Sequence, residues 1–433
     1  MQYYSTSDPS VKADFREATL KGQAPDKGLY FPEFVPQLPK EFINNINSYS
    51  KQEIACSVIK PFTGGTIPDK ELQRIVSDTI PFDFPLVKIS DSIYSLELFH
   101  GPTLAFKDVG ARFMSRCLGY FVSGLDQKIT VLVATSGDTG GAVASGFYEV
   151  EGVDVVILYP SGKVSSVQEL QLTTMGKNIS ALEVKGSFDD CQQLVKQAFA
   201  DPALNRKLFL TSANSINIAR WLPQQFYYFF AWQQWEDRLR PPVISVPSGN
   251  FGNICAGLLA NRSGLPVAHF IAACNSNDVV SEYLRSGHYQ PRKAHATLSN
   301  AMDVGNPSNF IRILTLFSKE PGSLKNLMSS YSISDEETKN TILETWTRYH
   351  YLTDPHGAVG YLALKNYLAK NPGQKGIFLE TAHPVKFYDL VESITGHKIP
   401  LPATVQSILD KKKQTTSIEV DYKEFKDYLL KDK

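Results

Sequence analysis

From about residue 86 onward, short apolar runs rich in β-branched residues alternate with amphipathic stretches of helical period. That alternation predicts strands at 86–89, 94–98, 129–134, 153–158, 179–184 and 208–211. Between and after them it predicts helices at 107–121, 139–149, 164–175, 188–199 and 216–235. A second alternation follows, with strands at 243–246, 268–272 and 376–380. Helices are expected at 252–259 and 385–395, and several more across 308–369. A βαβα order of this kind argues for parallel sheets with helices on both faces. Phe106, Val109, Phe113, Cys117 and Tyr120 share one face of the 107–121 helix, which is therefore expected to pack firmly.

The chain ends read differently. Before residue 85 the pattern is one of helices and loops. Ser10 is placed to cap a helix over 11–20 that Gly22 ends, and Pro68 falls in the first turn of a helix over 67–76. Pro32, Pro36 and Pro39 mark an irregular link. Lys411, Lys412 and Lys413 and the charged tail 419–433 read as a solvated terminal helix or strand. The expected fold class is α/β, with two doubly wound parallel-sheet domains and a helical N-terminal region. The expected division is 1–85, 86–240, 241–400 and a C-terminal extension 401–433.

Composition narrows the partners. At 433 residues the chain is too long for one simple core. Lys plus Arg and Asp plus Glu both number 44, so neither nucleic acid nor a membrane is expected as a partner. Five scattered cysteines without a C-x-x-C pair argue against a disulfide framework or a metal site, and for a reducing, cytoplasmic setting. The N-terminus lacks a secretory pattern, and the longest apolar stretches are too short for a membrane span. Nothing in the sequence sets the oligomeric state.

Chemistry concentrates in a few segments. Lys107 follows Leu104, Ala105 and Phe106. Apolar surroundings lower a lysine pKa and free the amine for a Schiff base, although a surface lysine fits the same local sequence. Ser248-Gly-Asn-Phe-Gly-Asn253 follows one apolar run and opens a helix, a context that aims backbone N–H groups and a helix dipole at an anion. An ordinary strand-to-helix loop is the alternative. Thr135-Ser-Gly-Asp-Thr-Gly-Gly141 occupies the same context and suits a carboxylate. It matches neither the dinucleotide fingerprint nor the P-loop. Asn214, Ser215, Asn217 and Arg220 sit at another strand-to-helix junction. Arg220 is either an anion fork or a surface arginine. Thr381 is either a donor at a strand end or a helix cap.

In combination these segments resemble the threonine synthase family of fold-type II pyridoxal phosphate (PLP) enzymes. The resemblance rests on Tyr4-Ser-Thr, Lys27-Gly-Leu-Tyr-Phe-Pro32, Phe99-His-Gly-Pro-Thr-Leu-Ala-Phe-Lys107-Asp and Thr135-Ser-Gly-Asp-Thr-Gly. It extends through Asn214-Ser-Ile-Asn217-x-x-Arg220, Ser248-Gly-Asn-Phe-Gly-Asn253, Asp354-Pro-His356-Gly and Thr381-Ala-His-Pro. The run ending at Lys107-Asp is the specific one; related PLP lyases share the glycine loops. The family often carries Thr or another small residue where this chain has Gly357.

The resemblance implies PLP as cofactor, with Lys107 as both Schiff-base lysine and catalytic base. It implies that Gly249, Asn250, Phe251, Gly252 and Asn253 hold the PLP phosphate and that Thr381 faces the pyridine nitrogen. Ser136, Gly137, Asp138 and Thr139 would hold the substrate carboxylate. Asn214, Arg220, His100 and His356 would lie near the substrate phosphate. The implied reaction converts O-phospho-L-homoserine and water to L-threonine and phosphate by γ-elimination and β-addition. Two alternatives remain at this level: a PLP lyase yielding 2-oxobutanoate, and a catalytically silent phosphate- or amino-acid-binding scaffold.

Overall fold

The computed structural model describes residues 1–124, 128–318 and 321–431. Among them, β1 (Gln2–Ser5), β2 (Lys12–Asp14) and β3 (Tyr30–Pro32) form a small antiparallel sheet in the order β2-β1-β3. β4 (Leu86–Lys88) and β5 (Ile93–Glu97) follow, then β6 (Ile129–Ala134), β7 (Val153–Pro160), β8 (Ile179–Val184) and β9 (Phe209–Ser212). The later strands are β10 (Val243–Pro247), β11 (His269–Cys274), β12 (Met328–Ser332), β13 (Gly376–Glu380) and β14 (Thr415–Ile418).

Two larger sheets carry the fold. One has the order β12-β11-β10-β13-β5-β4, parallel except where β4 runs antiparallel to β5. The other, β14-β8-β7-β6-β9, is parallel throughout. Every residue of β10, β11 and β13 is buried, as helices on both faces of a parallel sheet require. Chain segments are exchanged between the units: β4 and β5 join the sheet of β10–β13, and β14 returns to pair with β8.

The helix expected from residue 107 spans Lys107–Val122, with Val109, Phe113 and Cys117 fully buried. Other expectations are corrected. The first helix runs Phe15–Lys21, not from residue 11. Its cap is Asp14, whose side chain accepts from Glu17 N at 2.7 Å, because residues 12–14 are drawn into β2. Gly22 ends it at φ 72°. The N-terminal region is therefore part sheet, and it also holds an unforeseen helix, Lys51–Thr63.

The long helix expected at 216–235 is broken into Ile218–Trp221, a 3-10 turn at Leu222–Gln225 containing Pro223, and Phe226–Gln234. The 308–369 region holds β12 as well as helices; residues 319 and 320 lie outside the described residues. The C-terminal tail is not a solvated appendage. Its helix Tyr422–Leu430 buries Phe425 and Leu429 against Leu132, Val156 and Leu182, while residues 432 and 433 lie outside the described residues. Among the described residues, no helix is long and apolar enough to cross a membrane.

Candidate active site

In parallel sheets the C-terminal strand ends gather ligand sites, because helix N-termini and short loops converge there. Here the segments following β5, β6, β9, β10 and β13 line one cavity of about 440 Å³.

The Lys107 turn is built by its own motif. Thr103 donates its N–H to Asp108 Oδ2 at 2.9 Å and its hydroxyl to Oδ1 at 2.5 Å. Phe106 N–H donates to Thr381 O at 2.9 Å, and His383 N–H donates to Leu104 O at 3.0 Å. The Tyr227 hydroxyl donates to Phe106 O. Lys107 thus starts its helix from a braced turn and faces the cavity. Burial holds its amine below the usual lysine range. Asp138 opposes that shift, the Lys386 and Arg220 cations reinforce it, and Asp354 opposes it.

After β6, Thr135 Oγ1 accepts from Gly137 N at 2.9 Å and Gly140 N at 2.8 Å, closing the turn under Ser136 and Thr139. Gly137 has φ 133°, and a Cβ there would lie 2.4 Å from Gln168 Cδ, so only glycine fits. Ser136, Asp138 and Thr139 line the cavity, whereas Gly137 does not. Asp138 does not point a free carboxylate at a ligand. Its Oδ1 pairs with Lys386 Nζ at 2.8 Å and accepts from Gln168 Nε2 at 2.9 Å. Burial alone would raise its pKa, but Lys386 and then Lys107 hold it well below the usual carboxylate range.

After β9, Asn214 is tethered to Ala134 O at 3.1 Å and lines the cavity. Asn217 caps Ile218–Trp221 through Ala219 N at 2.9 Å. Arg220 is 3% exposed, yet among the described residues its Nε and Nη1 have no hydrogen-bond partner. Burial lowers its pKa to about 10, which still leaves it cationic at neutral pH.

After β10, Gly249, Asn250, Phe251, Gly252 and Asn253 all line the cavity. Phe251 takes a left-handed backbone, φ 59°, to turn the chain into the helix Gly252–Arg262. The first N–H groups of that helix have no acceptors within it. Asn250 is committed to the scaffold, donating to Ser215 Oγ at 2.8 Å and accepting from Ser308 N at 2.5 Å. The Tyr228 hydroxyl donates to Asn253 Oδ1 at 2.9 Å, fixing the amide so that its Nδ2 is buried without a partner among the described residues.

Thr381, 6% exposed, closes the cavity from the end of β13. His356 lines it too. Ala301 N donates to its Nε2 at 3.2 Å, so the ring proton sits on Nδ1 and is donated to Asp354. His100 is not brought to the cavity. It is half exposed and pairs with Glu97 Oε2 at 2.7 Å. The sequence reading missed Lys386, buried behind Asp138, and the lining supplied by 292–294 and 300–306. The position of Lys386, two residues after His383-Pro, was its only sequence signal. The irregular 292–306 stretch carries no periodicity to read.

Comparison with known proteins gives the family. Residues 2–80 match the family described as threonine synthase N terminus, and 85–379 match pyridoxal-phosphate dependent enzyme. Residues 357–429 match threonine synthase, C-terminal. Threonine synthase of Haemophilus influenzae is 46% identical, with 100% of both chains covered. The crystal structure of threonine synthase from Escherichia coli superposes with a TM-score of 0.94 at 41% identity over 99% of each chain. A PLP-bound threonine synthase from Brucella melitensis gives a TM-score of 0.90 at 36% identity, covering 99% of this chain and 98% of that one. With matches at both ends, across the PLP-enzyme core and along the whole fold, the chain belongs to the threonine synthase family of PLP-dependent lyases.

Proposed function

We propose that the protein converts O-phospho-L-homoserine and water to L-threonine and phosphate, with PLP held between Lys107, Thr381 and the 249–253 loop. The observation that carries this reading is the convergence of the Lys107 side chain and two groups of unpaired buried donors on one cavity. The Asn253 amide and the N-terminus of Gly252–Arg262 suit the cofactor phosphate. Thr381 offers a hydroxyl for the pyridine nitrogen, and Lys107 an amine for the aldehyde. The donors present therefore fit the group.

PLP, when bound, withdraws electrons from the substrate Cα and so stabilises negative charge there. The chain supplies the rest. Ser136, Thr139 and the N–H groups of their turn receive the substrate carboxylate. Arg220, with Nε and Nη1 free, receives the phosphate that leaves Cγ. Asn214 lines the same cavity. Lys107, neutral more readily than an exposed lysine, takes the Cα proton. His356 accepts from Ala301 N through Nε2 and bonds Asp354 through Nδ1, so its ring is held at the cavity wall. His100, paired with Glu97 away from the cavity, has no proposed role.

The test is incubation with O-phospho-L-homoserine and PLP, measuring threonine, 2-oxobutanoate and free phosphate together. Threonine and phosphate in equal amounts are expected. Phosphate accompanied by 2-oxobutanoate instead would assign the lyase, and no phosphate release would assign the silent scaffold.

A further inference from the structure

The turn proposed to receive a carboxylate contains a carboxylate of its own, Asp138, ionised and 3% exposed. Left alone, that charge would repel the substrate and draw a proton onto Lys107. Lys386 stands directly behind it. Its Nζ lies 2.8 Å from Asp138 Oδ1 and donates to Thr103 O at 2.8 Å, and its side chain is fully buried. Gln168 Nε2 completes the shell at 2.9 Å.

Resting on the functional reading above, we propose that Lys386 is a positioning residue whose buried ammonium cancels the charge of Asp138, making the 135–139 turn receptive to a carboxylate and leaving Lys107 without a net negative neighbour. Lys386 does not line the cavity, so it acts through Asp138 and through space. The charged and titratable groups around the pair are on several elements. Lys107 is faced by Asp138, Lys386, Arg220 and Asp354. Asp138 is faced by Lys386, Lys107 and His356. Lys386 also acts on Asp108 and His383. Removing a single charge from this set shifts Lys107 with a sign fixed by that charge.

The experiment titrates Lys107 in PLP-free protein. Reductive methylation across pH, with the Lys107 peptide quantified by mass spectrometry, gives the midpoint of amine reactivity. Lys386→Met should move it up by about one unit, and Asp138→Asn should move it down. The double variant should return toward the native midpoint. In PLP-loaded protein, Lys386→Met should raise KM for the amino-acid substrate about tenfold, and adding Asp138→Asn should recover part of that loss. A purely structural role would move both single variants the same way and give no recovery in the double. If Lys386→Met fails to fold, Asp138→Asn and the double variant still carry the opposite-sign test. Midpoints that do not move, or move together, overturn the proposal. Failure of the functional reading shows separately, as native loaded protein that forms no threonine.

Discussion

Phe106 donates its main-chain N–H to the Thr381 carbonyl at 2.9 Å, so the residue before Lys107 is fastened to the end of β13. The brace is completed by Asp108, which takes both donors of Thr103. Asp108→Ala would leave a buried N–H and hydroxyl unpaired. A stability loss of about 2 kcal/mol by urea unfolding is expected. A fall in kcat larger than the rise in KM should accompany it, since the lysine rather than the substrate pocket is loosened.

Arg220 is a buried cation whose Nε and Nη1 have no partner, an arrangement that burdens the fold and serves an anion. Arg220→Met should leave the melting temperature unchanged or higher while raising KM at least about tenfold. Arg220→Lys should recover little, because a point charge does not reproduce the planar fork. Parallel loss of stability and activity would assign Arg220 to the scaffold instead.

Asn253 offers a substitution that separates scaffold from ligand. Asn253→Asp keeps the Oδ1 acceptor for the Tyr228 hydroxyl but replaces the unpaired Nδ2 with a charged oxygen. The fold should persist, while PLP affinity falls by at least about tenfold. The stabilisation that added PLP confers on the melting temperature should shrink with it.

His383 gives a pH signature. Burial, assisted by His100, lowers its pKa from the ordinary 6.5 to about 4, with Glu97 and Asp354 opposing and Lys386 assisting. The unfolded chain therefore binds the proton more readily than the folded one between these values. Stability is highest above pH 6.5, falls as pH drops toward 4, and is independent of this group below that. The contribution is at most about 3 kcal/mol. His383→Asn, which keeps an acceptor for Val385 N, should flatten the slope in that window in pH-dependent urea unfolding.

Much of this was legible in the sequence because strand-to-helix turns advertise themselves. The 135–141 and 248–253 segments follow apolar runs and contain the glycines that their turns require, and both line the cavity. What escaped was long-range. β12 falls in a region read as helical and β14 beside a tail read as solvated, and each becomes a strand by pairing with β11 and β8 respectively. Lys386 reads as an ordinary basic residue in a helical stretch; its meaning lies in Asp138, far away in the chain. Gly357 is the departure from the common family pattern, and its cause is spatial as well. A Cβ there would lie 1.7 Å from Glu380 Oε2, so the glycine makes room for a buried carboxyl on β13. His100 sits inside the specific motif yet turns to Glu97, since neighbours in sequence need not share a cavity.

The central claim is that the amine of Lys107, and no other, bonds the cofactor. Lys386 is the natural control: it lies close by but is fully buried and ion-paired with Asp138. Borohydride reduction of the PLP-loaded protein, followed by peptide mapping, reads the answer directly. A single pyridoxyl label on Lys107 is expected. Label on Lys386 or another lysine, or none at all, would contradict it.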